Sequence, residues 1–312
     1  VHFYFFGTHR RDAYATIKKC GCIARDIQWI DFAHFRDFSR ATSPLLDFPY
    51  FFSQTPPAML TQDQIKFYSD NGYLLVEGLL SKKEAADYRR ECHELAERLG
   101  KTSNLDATWG SAKAAVAAAK DTKILHCHNV QFYSAAFTRL ICDPRLTDAA
   151  ADIMGCPNVQ LHHTKMFIKP PEKGSPFPMH QDYHYFPHAR HTMIAAIFHF
   201  DDAPVEKGCV RVMPGSHKLG PLEQDPEGGW HLPFDKYPIE KATPCPARAG
   251  DVLFFSYLTI HGSGLNTSNE ARTTLLVQMR DPSDPPTQKV HLSLGQGMML
   301  RGIDPNAVYR GL

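Results

Sequence analysis

The sequence predicts an α+β fold built around an antiparallel double-sheet barrel, and three observations support this. Capped, helix-period segments dominate the chain from residue 59 to about residue 154. From Val159 onward the runs become β-type. Those runs are short, with Pro, Gly and Asn between them, as in barrels of paired antiparallel sheets.

Each element has a local reason. Thr61-Gln62-Asp63-Gln64 is a capping box, so a helix starts there and runs to about Asp70, stopping at Asn71-Gly72. Tyr73-Leu74-Leu75-Val76 reads as a strand. Ser81-Lys82-Lys83-Glu84 is a second capping box; Tyr88, Cys92, Leu95 and Leu99 follow at helical spacing until Gly100. Residues 111–120 are alanine-dominated and predicted helical, as are 134–142 and 145–154, the last closed by Gly155. Strands are predicted at 159–169, 179–186, 193–200, 208–213, 251–260 and 271–280. The stretch 215–247 contains six prolines and Trp230, and a connection of that length is expected to be a functional lid.

Composition excludes several classes of function. A chain of 312 residues with 43% hydrophobic and 21% charged residues is an ordinary globular protein with room for one large core or two modest ones. A net charge of +1 gives no electrostatic ground for binding nucleic acid or an anionic membrane. No apolar run approaches the roughly 18 residues a bilayer span needs. The eight cysteines fit neither paired CxxC zinc clusters nor a disulfide scaffold, so reduced thiols are expected. Residues 1–58 contain no methionine, carry seven Lys/Arg against five Asp, and show no sustained periodicity. They are expected to be an extension, disordered or an artefact, dispensable beside a domain at 59–312. With no secretory signal, membrane span or C-terminal Ser-Lys-Leu-type signal, a cytoplasmic location is expected.

The chemistry centres on Pro178-Met179-His180-Gln181-Asp182. On an extended strand, His180 and Asp182 leave the same face and offer an imidazole nitrogen and a carboxylate oxygen to one cation. Alone, His-x-Asp is weak, because short motifs recur by chance and 17 histidines make chance pairing easy. His261, after the strand Asp251–Leu258, supplies a third ligand. Two histidines and one carboxylate with open positions are the ligand set of non-haem Fe(II) oxygenases. A hairpin turn near Asn266-Thr267 would bring Arg272 back opposite His261. There its guanidinium could fork onto the far carboxylate of a keto diacid chelating the metal, with Ser263 adding a hydroxyl. A cupin-like Zn(II) hydrolase or isomerase, or a non-catalytic ligand module, would use the same barrel. A dependence on Arg272 and a keto acid separates the first reading from these two.

These segments, together with Lys169-Pro170-Pro171, His184-Tyr185-Phe186-Pro187, Gly208-Cys209, Pro214-Gly215-Ser216-His217-Lys218, Gly250-Asp251 and His261-Gly262-Ser263-Gly264, resemble the phytanoyl-CoA dioxygenase family. The resemblance covers about residues 60–302. It implies a double-stranded β-helix (jelly-roll or cupin-like) with N-terminal helices packed on one sheet. It also implies Fe(II), 2-oxoglutarate and O2, with ascorbate as a stimulant, and hydroxylation of a small-molecule or acyl substrate. By position, His180, Asp182 and His261 correspond to iron ligands, and Arg272 and Ser263 to contacts with the 2-oxoglutarate carboxylate. Gln181 and Phe198 fall at further co-substrate contacts; Phe198 stands where some members carry Trp, so only packing is left to it. Lys165 lies on a strand near the co-substrate, and His126 or His128 stands in for a basic residue that some members place ahead of it. Related halogenases lack the carboxylate, so Asp182 implies hydroxylation. The other histidines (162, 163, 188, 191, 199 and 217) are expected to be structural or exposed.

Overall fold

The protein is described by a computed structural model covering residues 58–106, 122–226, 229–288 and 292–308. All of the expected extension 1–58 except Ala58, and the predicted helix 111–120, lie outside the described residues. Both capping boxes form. Thr61 accepts from the Gln64 amide and opens α1 (Gln62–Asn71); Ser81 does the same for Glu84 and opens α2 (Lys82–Gly100). Gly72 ends α1 at φ 78°, where a Cβ would stand 2.3 Å from the His217 ring, so only glycine fits. The helices α3 (Ala135–Ile141) and α4 (Pro144–Met154) start at side-chain caps from Ser134 and Asp143, and α4 stops at left-handed Gly155. Arg145 bridges Glu84 at 2.8 Å and Asp143 at 2.6 Å, pinning the start of α4 to the start of α2.

The strands are β1 (Tyr73–Val76), β2 (Leu125–His128), β3 (Val159–Lys169), β4 (Phe177–His180), β5 (Ile194–His199), β6 (Val210–Val212), β7 (Thr243–Cys245), β8 (Val252–Ser256), β9 (His261–Ser263), β10 (Arg272–Arg280) and β11 (Met299–Arg301). Among the described residues they form a large sheet, β1-β8-β5-β10-β3-β11 with β2 also on β3, and a small one, β4-β9-β6-β7. This is a double-stranded β-helix. Alternation divides each long strand. Leu275, Val277 and Met279 of β10 join Phe198, Phe254 and Met166 in a core beneath the helices. Thr274, Leu276 and Gln278 point the other way, into the barrel. Tyr88 of α2 stacks on Phe200 (5.6 Å between centroids) and on Phe137 (6.3 Å), clamping the helical layer to the sheet.

Three expectations about local structure are corrected. The strand predicted over 179–186 ends at His180, and a 3-10 turn, Asp182–Tyr185, follows it. Its ladder partner β9 is only three residues long and pairs His261 with His180, so nothing remains for the chain to pair with beyond that point. The predicted strand 251–260 breaks after Ser256, whose amide bonds to the Gly72 carbonyl, and pairing resumes at His261. The hairpin between His261 and Arg272 does not form: β9 lies in the small sheet, and β10 pairs with β3 and β5 in the large one. The Asn266 side chain donates to the carbonyls of Pro170 (3.0 Å) and Glu270 (2.8 Å), folding this connection over the end of β3. Arg272 therefore stands opposite Lys169, not His261. The 215–247 stretch is also more ordered than a bare loop, with 3-10 turns at Ser216–Leu219 and Ile239–Lys241 before β7.

Candidate metal centre and its cavity

Adjacent strands deliver the two imidazoles. His180 closes β4 and His261 opens β9; they are register partners, with ring centroids 4.2 Å apart. Asp182 joins them through the turn. Extended backbone at Gln181 carries the chain one step past the strand, and the 3-10 turn then swings the carboxylate inward. Asp182 Oδ1 lies 3.6 Å from His180 Nε2 and 3.7 Å from His261 Nε2, and the three ligand atoms all fall within 4.8 Å of one another.

The surroundings prepare these groups for a cation. His180 Nδ1 lies 2.8 Å from the Pro178 carbonyl, and His261 Nδ1 lies 2.9 Å from that of Thr259. A carbonyl only accepts, so each Nδ1 carries the proton and each Nε2 lone pair faces the centre. Burial, then His180, pushes His261 down to about 4, keeping it neutral at pH 7. Burial alone would raise the Asp182 carboxyl, but His261, His180 and the Gln278 amide outweigh it and hold the group below the usual carboxylate range. Gln278 Nε2 donates to Asp182 Oδ2 at 2.9 Å, leaving Oδ1 turned toward the imidazoles. Two imidazole nitrogens and one carboxylate oxygen, with oriented second partners, fit a divalent transition metal.

The triad opens into a cavity of about 260 Å³ whose walls include Phe167, Phe177, Tyr185, Phe255 and Leu276. Arg272 and Ser263 line the same cavity. Arg272 is 4% exposed and donates to the Gly208 carbonyl, while its Nε has no partner. No carboxylate among the described residues pairs with it, and burial pulls its pKa down to about 10. Gly208 sits at φ 65° with its Cα so close to the β9–β10 connection that a Cβ would meet the Gly264 oxygen at 2.4 Å. Lys165 also lines the cavity; burial depresses it to about 7, partly offset by Asp182, and its ammonium lies 4.8 Å from the Phe167 ring centre.

Two predicted contacts lie elsewhere. Gln181 is buried but does not line the cavity: its amide donates to Gly220 O (3.0 Å) and Leu258 O (2.7 Å) and accepts from the Leu222 amide (2.9 Å). Phe198 faces the helical core, because its strand neighbour Ile197 takes the inward position. His217 bonds the Ser69 carbonyl, and His199 is fully buried. His163, expected to be merely structural, lines the cavity and links His128 (Nε2 to Nδ1, 3.1 Å) to Ser293 (2.6 Å). The sequence reading missed Gln278 as a site residue. Counting by twos along β10 from Arg272 reaches Gln278, so strand period alone could have found it.

Comparison with known proteins agrees with this geometry. The sequence model of the family described as phytanoyl-CoA dioxygenase matches residues 68–274. The peroxisomal phytanoyl-CoA dioxygenase of Homo sapiens is 31% identical over 232 residues, covering 70% of this chain and 67% of the relative. Among solved structures, the non-haem alpha-ketoglutarate-dependent carbocyclase SnoK from nogalamycin biosynthesis superposes with a TM-score of 0.62 at 25% identity, covering 78% of this chain and 96% of that one. EctD from S. alaskensis, crystallised with 2-oxoglutarate and 5-hydroxyectoine, shares the fold with a TM-score of 0.59 at 20% identity, over 75% of this chain and 80% of that one.

Proposed function

Because the chain belongs to the phytanoyl-CoA dioxygenase family, we propose that it is an Fe(II)- and 2-oxoglutarate-dependent dioxygenase that hydroxylates a C–H bond of a small-molecule or acyl substrate, releasing succinate and CO2. One observation carries the reading: the His180, Asp182 and His261 cluster shares a cavity with Arg272, a buried cation without a carboxylate partner among the described residues. A keto diacid satisfies both ends. That unpaired guanidinium favours the oxygenase over a hydrolase on the same triad, which has no use for it.

The residues divide the work. His180, Asp182 and His261 hold iron, and Gln278 orients Asp182. Arg272 and Ser263 would take the far carboxylate of the co-substrate, and Lys165 lines the same cavity. When bound, iron and 2-oxoglutarate would supply the oxidising chemistry. Phe167, Phe177, Phe255 and Leu276 keep water from the site. Tyr185 of the cavity wall stacks on Trp230 at 5.1 Å and 13°.

The test is succinate release by iron-loaded protein supplied with 2-oxoglutarate, O2 and ascorbate, screened against acyl-CoA thioesters, free acids and secondary metabolites. Substrate-dependent succinate with matching hydroxylated product is expected. Iron-loaded protein that turns over no 2-oxoglutarate in the presence of any of them refutes the proposal. No helix among the described residues is long and apolar enough to cross a membrane. The six cysteines among them are free thiols, which suits a reducing compartment such as the cytosol. Imaging of a tagged full coding sequence checks that location.

A further inference from the structure

We infer that Lys169 is a positioning residue for the far carboxylate of the co-substrate, holding the Ser263 hydroxyl as an acceptor so that the hydroxyl's own proton is left to donate into the cavity. This rests on the oxygenase reading and goes beyond it.

Lys169 ends β3 with 0% exposure, and its cross-strand register partner is Arg272, itself 4% exposed. Side chains of register partners leave the same face, so two cations lie side by side inside the barrel. Taking one cation out of water costs several kcal/mol unless it is paired. Among the described residues no carboxylate bridges either one.

The donors of Lys169 are committed with a definite polarity. Nζ lies 2.8 Å from Ser263 Oγ and 2.7 Å from the Gly264 carbonyl, and the Phe177 ring centre is 5.5 Å away. An ammonium has three donors and no acceptor. In that charged form, which an anion in the cavity favours, Ser263 Oγ accepts from it, and this frees the O–H of Ser263 for the cavity that Ser263 and Arg272 both line. Burial, and after it Arg272, pulls the Lys169 ammonium well below the ordinary lysine range, with Cys209 opposing. The brace is therefore strongest when an anion shares the pocket. A lysine that only tied down the Gly264 turn would do so from the surface. Burying it beside a second cation, against the Ser263 hydroxyl of the cavity wall, suits an anion that arrives in that cavity.

The experiment is calorimetric titration of Fe(II)-loaded protein under argon with two ligands: 2-oxoglutarate, and 2-oxobutyrate, which keeps the keto-acid end and lacks the far carboxylate. Lys169→Met should weaken 2-oxoglutarate about tenfold or more while 2-oxobutyrate stays within about twofold, and Lys169→Arg should recover part of the loss. Ser263→Ala should show the same selective loss, and adding Lys169→Met to it should weaken binding no further. Unchanged 2-oxoglutarate affinity in Lys169→Met, or equal weakening of both ligands, overturns the inference. If the lysine variants do not fold, Ser263→Ala decides: normal 2-oxoglutarate binding there overturns it as well. Wild-type protein that binds neither ligand defeats the oxygenase reading and this inference together.

Discussion

Replacing Arg272 with methionine separates a functional cation from a structural one. In the metal-free protein two terms oppose each other. The variant loses the hydrogen bond to Gly208, orphaning a buried carbonyl at about 1–3 kcal/mol, and it removes a buried charge whose desolvation costs several kcal/mol. The shape of the side chain is largely kept, so the net change in stability should stay within about 2 kcal/mol and can have either sign. Binding behaves differently. Truncating one partner of a buried charge-assisted pair costs about 2–5 kcal/mol, and about 1.4 kcal/mol is a factor of ten. The affinity for 2-oxoglutarate should thus fall roughly 30- to 4,000-fold. Urea unfolding of the metal-free protein and anaerobic titration of the Fe(II) form measure the two quantities. A variant that binds 2-oxoglutarate within about threefold of wild type, or that loses stability heavily while binding survives, would show that Arg272 serves the fold.

Other expectations follow from the same geometry. Gln278→Leu removes the amide that orients Asp182 and should weaken Fe(II) about 10- to 100-fold in a chelator competition; unchanged affinity would show that Asp182 is aligned without it. His199 is fully buried, and burial followed by Arg272 depresses it to about 3, with the Asp251 and Ile197 backbone opposing. Its folded pKa lies below the unfolded value, so its contribution is intact above about pH 6.5 and is lost as pH falls toward 3, at up to about 1.4 kcal/mol per unit. His199→Leu should flatten that acid limb of a urea-midpoint profile, and an identical slope in both proteins would contradict the account. Expression of residues 59–312 alone should give a folded, iron-binding protein; loss of folding would make 1–58 part of the domain.

Much of this was legible in the sequence because it is local. Thr61 and Ser81 announce their helices through side chains three residues from their partners, and Gly72 and Gly155 stop helices through a backbone conformation other residues resist. The triad was legible because its ligand types are chemically restrictive. What escaped reading depended on partners far along the chain. The break after His180 is set by the length of β9, about eighty residues on, and propensity at Tyr183 and Tyr185 carries no trace of it. The path from His261 to Arg272 looked like a hairpin because its turn residues are those of a hairpin. Contacts of Asn266 with Pro170 and Glu270 send the chain across to the other sheet instead. Gln181 shows the limit of inference by position: it stands next to two ligands, yet its amide is wholly spent on the backbone.

That same glutamine has a consequence for how new specificities arise. Gln181 grips Gly220 and Leu222, and the carbonyl of Met179 takes the Leu232 amide at 2.9 Å, so the two residues flanking His180 moor both shores of the covering segment. Between those moorings Trp230 stacks on Tyr185 of the cavity wall. An exchange at Trp230 would reshape that wall while His180, Asp182 and His261 keep their aim. A family built this way can explore new substrates without having to reinvent its metal.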